Sequence, residues 1–211
     1  MNSIEYLDYI SKIITPLATI LALVVAFYGI IVWKKQLRGR NTYDLARRVL
    51  TLLFRLRDSV YILRPLIKMK TTFEMMIVNS IRNIDETKLK EMSFSEYLNQ
   101  SIFKDPYNKF LEYDGQLKYE NVEVEVLFGK ELSKQIEEFL ENVVSFYNNY
   151  TVYVSNIIAR EKQDFYYLLG DDYSEDFIFR NEKNDDAFSI KMSESIQKIE
   201  KALYPFLKLK K

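Results

Sequence analysis

The feature that most constrains this chain is the apolar segment from Ile13 to Trp33, which contains no charged side chain in 21 residues. At about 1.5 Å of rise per residue, a helix of this length spans roughly 30 Å, the thickness of a bilayer's hydrocarbon core. A core helix seldom stays apolar on every face over such a length, and a cleaved signal peptide has a shorter apolar region. The segment therefore predicts one transmembrane helix.

The charges on either side of this segment predict its orientation. Residues 1–12 carry Glu5 and Asp8 against Lys12, unlike a secretory leader, and no clear A-x-A cleavage site follows, so we expect the segment to stay attached. Residues 34–70 contain eleven basic and two acidic side chains. Because basic residues accumulate on the cytoplasmic side, we expect the N-terminus outside and the remaining chain in the cytoplasm.

These assignments divide the chain into four parts. They are a short extracytoplasmic tail (1–12), the transmembrane helix (13–33), a basic juxtamembrane segment (34–40) and a cytoplasmic helical-bundle domain (41–211). The last part is long enough to form one domain with its own core.

Two sets of residues in or beside the span are candidate sites. Aromatic and basic side chains at its C-terminal end are expected at the lipid headgroups: Tyr28, Trp33, Lys34, Lys35, Arg38 and Arg40. Small residues recurring every three or four positions form a predicted span-association face: Thr15, Ala18, Ala22, Ala26 and Gly29. Such a face lets two helices approach closely in lipid, although alanine and glycine are also common in spans generally. Pro16 falls in the first turn of the span, where a missing N–H costs little.

The composition argues against several kinds of chemistry. The chain has no cysteine and no histidine, which removes disulfides, thiolate nucleophiles, Cys/His zinc sites and histidine acid–base pairs. Its five glycines are scattered, so neither a P-loop nor a dinucleotide-binding fingerprint can be written. We therefore expect a protein that is not an enzyme and has no cofactor.

Apolar periodicity after the span predicts an all-α fold, an antiparallel helical bundle. The first helix should run a little past Pro65, either capped by Asn41 or Thr42 after an interruption at Gly39 or continuous with the span. Its inward residues are Leu45, Val49, Leu52, Leu56, Val60, Leu63 and Ile67. A second helix is predicted over 71–91, with Phe73, Met76 or Ile77, and Ile81 or Ile84 inward.

A third helix should begin at the Ser93–Glu96 capping box, include Tyr97, and break at Asp105-Pro106. Tyr119–Phe128 contains a V-E-V-E-V alternation typical of a strand, but no second strand is evident, so we favour a helix there.

The best helical pattern after the span runs from Lys130 to about Ile158. Its inward residues are Leu132, Ile136, Phe139, Val143, Phe146, Tyr150, Val154 and Ile157. An acidic, aromatic segment follows, which we interpret as a long loop with one short helix. The last helix should be capped near Asn184 or Asp185 and end at Pro205. Its inward residues are Phe188, Met192, Ile196, Ile199, Leu203 and Phe206.

Several short motifs occur in a fixed order along the chain. They are W-K-K-Q-L-x-G at 33–39, Y-D-L-A-R-R at 43–48 with L-R-D at 56–58, an acidic-aliphatic element ending in L-F-G at 123–129, and K-I-E-x-x-L-x-P-x-L at 198–207. In this order they resemble an uncharacterised family of bacterial single-pass membrane proteins, which implies a location at the bacterial inner (cytoplasmic) membrane. The resemblance implies a mostly helical domain with a helix near Val124. It implies no activity and contributes no catalytic residues.

The densest acidic cluster contains Asp171, Asp172, Glu175 and Asp176, whose oxygens could bind Mg²⁺ or Ca²⁺. The EF-hand pattern is absent, and a solvated loop with helix-capping acids explains these residues more simply. We therefore assign no metal site.

The basic stretch 34–70 has three interpretations. Its first part, 34–40, is a topology signal that also contacts anionic headgroups. Arginines on the following helix, such as Arg48 and Arg55, could pair with the acidic distal bundle in the same chain or a neighbour. Nucleic-acid binding is not expected, because the patch adjoins the membrane and residues 71–211 carry a net charge of −8.

The sequence thus predicts a membrane-anchored helical protein that acts by protein–protein interaction or sensing, with the lipid bilayer and either a protein partner or copies of itself as partners. One alternative is a membrane-perturbing oligomeric effector of a stress or phage-defence system. A third, an enzyme with a carboxylate-bound metal, rests on the acidic cluster alone.

Overall fold

The computed structural model describes residues 3–82, 84, 97, 103–161 and 175–208, with side chains in these ranges except at 3–15, 161, 175 and 176. The chain divides into two compact units, residues 1–44 and residues 45–211. The helices are α1 (Ser3–Leu63), α2 (Lys70–Arg82), α3 (Lys104–Phe128), α4 (Lys130–Glu161), α5 (Glu175–Ile178) and α6 (Ala187–Leu207), with a 3₁₀ turn at Ile67–Met69. Every regular element in the described ranges is helical, which confirms the predicted all-α class.

Helix α1 passes Gly39 without interruption, so the continuous-helix alternative is correct. Thr42 caps no new helix, because its hydroxyl donates to the carbonyl oxygens of Arg38 and Gly39, at 3.1 and 3.0 Å, within the same helix. Pro16 lies inside α1 rather than in its first turn, because the helix already begins at Ser3. Its missing N–H therefore removes a hydrogen bond from a helix interior.

In the second unit, the part of α1 from Leu45 onward forms one side of the core. The predicted inward residues of this part are buried, namely Leu45, Val49, Leu52, Leu56, Val60 and Leu63. Ile67 is the exception, at 45% exposed, because α1 ends at Leu63. Proline lacks an N–H and disfavours helical geometry in the residue before it, so Pro65 stops the helix and the expected continuation past it is wrong.

Helices α3 and α4 form an antiparallel hairpin. They are joined at Gly129, whose φ of 96° lies in the region that favours glycine. Phe110, in the first half of α3, packs against Phe146 in α4 with ring centroids 6.1 Å apart. Helix α6 runs antiparallel to α4, since Phe188 at its start contacts Phe146 in the middle of α4, while Phe206 near its end contacts Phe128, just before the start of α4.

Helix α1 runs antiparallel to α3, because Arg48 pairs with Glu120 while Arg55 lies over the ring of Tyr113, 5.8 Å from its centroid. Helices α1, α3, α4 and α6 therefore form the predicted antiparallel bundle. Helix α2 packs on the distal half of α4, where Phe73 stacks with Tyr153.

Both the predicted residue range of α4 and the face predicted to be buried are confirmed. All the residues predicted to point inward from this helix are buried. In α2, Phe73, Ile77 and Ile81 are buried, whereas Met76 is exposed. Helix α2 ends at Arg82, and residues 83 and 85–91 of the predicted helix lie outside the described part of the chain.

Helix α3 corrects one prediction and confirms another. Asp105-Pro106 was expected to end a helix, but it lies in the first turn of α3, where a residue without an N–H is tolerated. The helix favoured for Tyr119–Phe128 is confirmed. The proposed Ser93–Glu96 capping box lies outside the described residues, whereas Tyr97 is described and buried.

The start and end of α6 also differ from expectation. The cap is Asp186 rather than Asn184 or Asp185, and its carboxylate accepts a hydrogen bond from the backbone N–H of Ser189 at 2.9 Å. The helix continues through Pro205 to Leu207. Phe206 remains 40% exposed, although its ring contacts Phe128 with centroids 4.6 Å apart.

Candidate functional site

The apolar part of α1 is exposed along its length. Between Pro16 and Trp33 every side chain is exposed except that of Val32, which is half-buried. The most apolar stretch of the helix therefore contains no buried residue. The helix is long and apolar enough to cross a membrane. Water solvates such a surface poorly, so its exposure distinguishes this helix from the core helix of a soluble domain.

The predicted interface and association residues are exposed where side chains are described. This holds for Tyr28, Trp33, Lys34, Lys35, Arg38 and Arg40, and equally for Ala18, Ala22, Ala26 and Gly29. Thr15 lies on α1, in the part whose side chains are not described. A methyl group added at Gly29 would meet nothing within 4 Å. Arg40 also lies 3.8 Å from the carboxylate of Asp44, one turn further along α1.

Arg64, which follows α1, is fully buried and lies at the centre of a polar network. Its guanidinium donates to the carbonyl oxygens of Phe177 and Phe179 at 2.9 and 2.6 Å, to the hydroxyl of Ser189 at 2.9 Å, and to the carboxylate of Asp186 at 3.0 Å. The guanidinium carbon also lies 4.5 Å from the ring centroid of Phe188. A charge this deeply buried is tolerated only with such partners.

The charges of Arg64 and Asp186 perturb each other's pKa. Burial lowers the pKa of Arg64, and the hydrogen bond and charge of Asp186 oppose that change. Burial raises the pKa of Asp186, but hydrogen bonds from Ser189 and the charge of Arg64 outweigh it, so its pKa lies below the ordinary value. Because these groups satisfy one another away from solvent, we interpret the network as structural. It holds the segment before α6 against the end of α1.

Arg48, on the partly exposed side of α1, pairs with α3. Its guanidinium binds Glu120 and Glu123, each at 2.9 Å. Pairing between the arginines and the acidic distal bundle, expected from the sequence, therefore occurs within one chain. At this exposure such pairs contribute about 0.2–1 kcal/mol.

Helix α3 is apolar on two faces. One is buried in the bundle and comprises Tyr107, Phe110, Leu117, Asn121 and Val124. The other, which we call the α3 outer face, comprises Leu111, Gly115, Tyr119, Val122 and Val126. Tyr119, Val122 and Val126 are 80%, 68% and 79% exposed.

The strand-like V-E-V-E-V alternation is explained by this second apolar face. At 3.6 residues per turn, Val122 and Val126 lie one turn apart on the outer face, while Val124 points to the opposite, buried side. The valines thus serve two faces of one helix. Exposed β-branched residues add little to helix stability, so their presence on the outer face has no explanation in the fold itself.

A groove of about 740 Å³ lies beside the outer face, between α3 and α4. Its lining, which defines the α3–α4 groove, is Lys118, Asn121, Val122 and Glu125 from α3 and Ser133, Glu137, Leu140, Glu141, Val144 and Ser145 from α4. Asn121, Ser133 and Leu140 are buried, whereas the three glutamates are exposed. The groove therefore has a partly apolar floor and an acidic rim.

The aromatic core beside α2 contains polar atoms without partners. The hydroxyl of Tyr150 and the amide of Asn156 are buried and make no hydrogen bond. Burial raises the pKa of Tyr97 to about 12, and burial with the neighbouring Tyr97 and Tyr107 raises the pKa of Tyr150 further. Tyr153, by contrast, donates to the carboxylate of Glu74 at 2.6 Å.

Of the acidic cluster, Asp171 and Asp172 lie outside the described residues, and Glu175 and Asp176 lie in α5, where their side chains are not described. Within the described part of the chain, no group of three acidic side chains is arranged to hold a metal ion.

Comparisons of the chain with protein-family models, with curated proteins and with solved structures give no match. The family resemblance of the sequence motifs therefore stays a prediction. The fold and these surfaces define the class, an all-α protein in which, among the described residues, one helix is long and apolar enough to span a membrane.

Sequence reasoning missed three of these features. It counted Arg64 among the basic residues, although an arginine immediately before Pro65 in an otherwise apolar stripe was a signal for a buried charge. It also missed the α3 outer face, because the valine alternation was used only to choose between strand and helix and not to look for a second apolar face on the helix. The groove could not be found, because its two sides are set by how α3 and α4 pack.

Proposed function

We propose that this chain is a single-pass membrane-anchored protein whose helical domain acts by binding a protein partner, with no catalytic chemistry of its own. The α3 outer face is the observation that carries the proposal. A contiguous apolar surface rimmed by polar residues is the usual mark of an interaction site. The bundle leaves this face uncovered, and its apolar residues do not contribute to the core.

Site-specific crosslinking in cells tests the interaction. A photo-crosslinking side chain at Val126 of the full-length protein should give an adduct of defined mass. The same group at Glu194, an exposed position on α6, serves as the control. Equal labelling at the two positions, or none at Val126, would reject binding through the outer face.

The orientation proposal places the N-terminus outside and the domain in the cytoplasm of a bacterium, at the inner membrane. It is supported by the basic excess of residues 34–70. A reporter active only in the periplasm should be silent when fused after Lys211, and a cytoplasm-active reporter should work there. The opposite pattern would reject this orientation.

The span's small residues favour a second candidate, an oligomeric effector that perturbs the membrane. Ala22 and Gly29 are exposed on α1, and small side chains allow close packing of helices in lipid. Ala22→Ile should reduce self-association in a transmembrane reporter assay, while Leu23→Ile should not. If both variants associate like the wild type, the small residues do not mediate assembly.

A further inference from the structure

The α3–α4 groove and the α3 outer face form one continuous surface, because Val122 belongs to both. Leu140 and Val144 extend its apolar part onto α4. From Leu111 to Val126 the outer face covers about 22 Å along α3. This is the length of about four turns of a second helix, longer than a small molecule requires.

The rim of the groove is acidic. The carboxylates of Glu125, Glu137 and Glu141 line it, and within the described part of the chain they form no ion pair. The one basic residue in the lining, Lys118, is already bound to Asp114 at 2.6 Å. The groove therefore presents uncompensated negative charge beside a partly apolar floor.

We propose that the α3–α4 groove binds a basic amphipathic helix of a protein partner. Apolar side chains of such a helix, repeated every three or four residues, would contact Val122, Leu140 and Val144, while lysines or arginines along its borders would pair with the three glutamates. This is the helix-in-groove mode of recognition. The proposal rests on the proposed function, since it names the class of partner.

Charge distinguishes this occupant from the others. A second copy of the chain docked groove to groove would place Glu125, Glu137 and Glu141 opposite themselves, which is unfavourable. Anionic headgroups and nucleic acid phosphates would meet the same repulsion. Of these occupants, only a basic amphipathic helix would make favourable contacts with both the partly apolar floor and the three glutamates of the rim.

A peptide-binding measurement on the full-length protein in nanodiscs of zwitterionic lipid tests the proposal. The probe is a fluorescent synthetic helix of about five turns, with leucines at i, i+3, i+4 and i+7 and lysines at the borders. Empty nanodiscs measure its binding to lipid. The test variant is Glu137→Lys with Glu141→Lys, and the matched control is Glu194→Lys with Glu200→Lys, both exposed on α6.

We expect the wild type to bind the probe above the level of empty discs. The groove variant should bind about tenfold more weakly, while the α6 control stays within about twofold. A peptide with glutamates in place of the lysines should show the reverse order and bind the groove variant better than the wild type. Circular dichroism of all the variants checks that the helices are retained.

Equal binding of the probe to the groove and α6 variants, or no binding above empty discs, would overturn the proposal. So would equal binding of the acidic and basic peptides to the wild type. These failures leave the proposed function standing if the Val126 crosslink forms. If that adduct is also absent, the proposed function fails as well.

Discussion

Helices α3 and α4 are neighbours in one hairpin, yet they use their apolar residues differently. Helix α4 places its predicted stripe in the core, from Leu132 to Ile157. Helix α3 buries one apolar face and exposes another, with Tyr119, Val122 and Val126 on the outside. The contrast teaches that the predicted apolar stripe of α4 stabilises the bundle, whereas the second apolar stripe of α3 is available for contacts beyond it.

The largest expected difference between the two helices is in stability. Phe146→Ala on α4 should lower the free energy of unfolding by about 3–5 kcal/mol, because the Phe146 ring contacts Phe110, Tyr150 and Phe188 and its removal leaves a cavity. Val126→Ser on the α3 outer face should change it by less than about 0.5 kcal/mol.

Thermal unfolding of the full-length protein in mild detergent, followed by near-ultraviolet circular dichroism, measures both variants. The comparison would break if Val126→Ser destabilised the protein as much as Phe146→Ala. That result would mean that the outer face is packed rather than free.

The difference between α3 and α4 also explains how well each could be predicted. A single stripe with a period of three or four residues is a local signal, so the buried residues of α4 followed directly from the sequence. Helix α3 has two apolar faces, and successive valines belong to opposite ones: Val122 and Val126 to the outer face, Val124 to the buried face. The resulting alternation of apolar and polar residues resembles that of a strand. The absence of a partner strand and the family resemblance, rather than the periodicity of this segment, favour the helix.

Features that depend on distant residues could not be predicted in this way. Arg64 forms hydrogen bonds with Asp186 and Ser189, which lie more than a hundred residues later in the chain. The periodicity of a local segment cannot predict such a contact. The same contact helps decide the start of α6. Asn184, Asp185 and Asp186 are all good capping residues, and Asp186 is the one whose carboxylate also accepts from Arg64.

Two glycines provide a second, smaller test of the hairpin. Gly129→Ala should destabilise the protein by about 1–3 kcal/mol, because its φ of 96° and ψ of 169° are strained for any residue with a Cβ. Gly115→Ala, on the α3 outer face, should stabilise it by about 0.5–1 kcal/mol, since alanine favours helix and its methyl group meets nothing within 4 Å.

The same unfolding assay compares the two glycine variants. Changes of the same sign would contradict the assignment of Gly129 to a turn and Gly115 to an open helix surface. If Gly115→Ala stabilises the protein and also weakens the Val126 crosslink, the partner approaches the backbone of α3 closely at Gly115.

The smallest expected effect on stability concerns the buried, unpaired hydroxyl of Tyr150 on α4. Tyr150→Phe should raise the free energy of unfolding at neutral pH by about 1 kcal/mol, because the Tyr150 hydroxyl is buried without a hydrogen-bond partner. Tyr153→Phe on the same helix should lower it by about 1 kcal/mol, because that hydroxyl binds Glu74.

The pH dependence of unfolding makes this last test sharper. Burial raises the pKa of Tyr150 above its ordinary value of 10.0, so the native state holds the phenol proton more tightly than the unfolded state does. The free energy of unfolding therefore does not depend on ionisation of this group below pH 10, and it falls as the pH rises from 10 towards the raised pKa. Tyr150→Phe should move alkaline unfolding to higher pH, measured by circular dichroism together with tyrosinate absorbance. If alkaline unfolding of this variant coincides with that of the wild type, ionisation of Tyr150 does not drive the transition. Burial also raises the pKa values of Tyr97 and Tyr107, so these two tyrosines would then be replaced in the same assay.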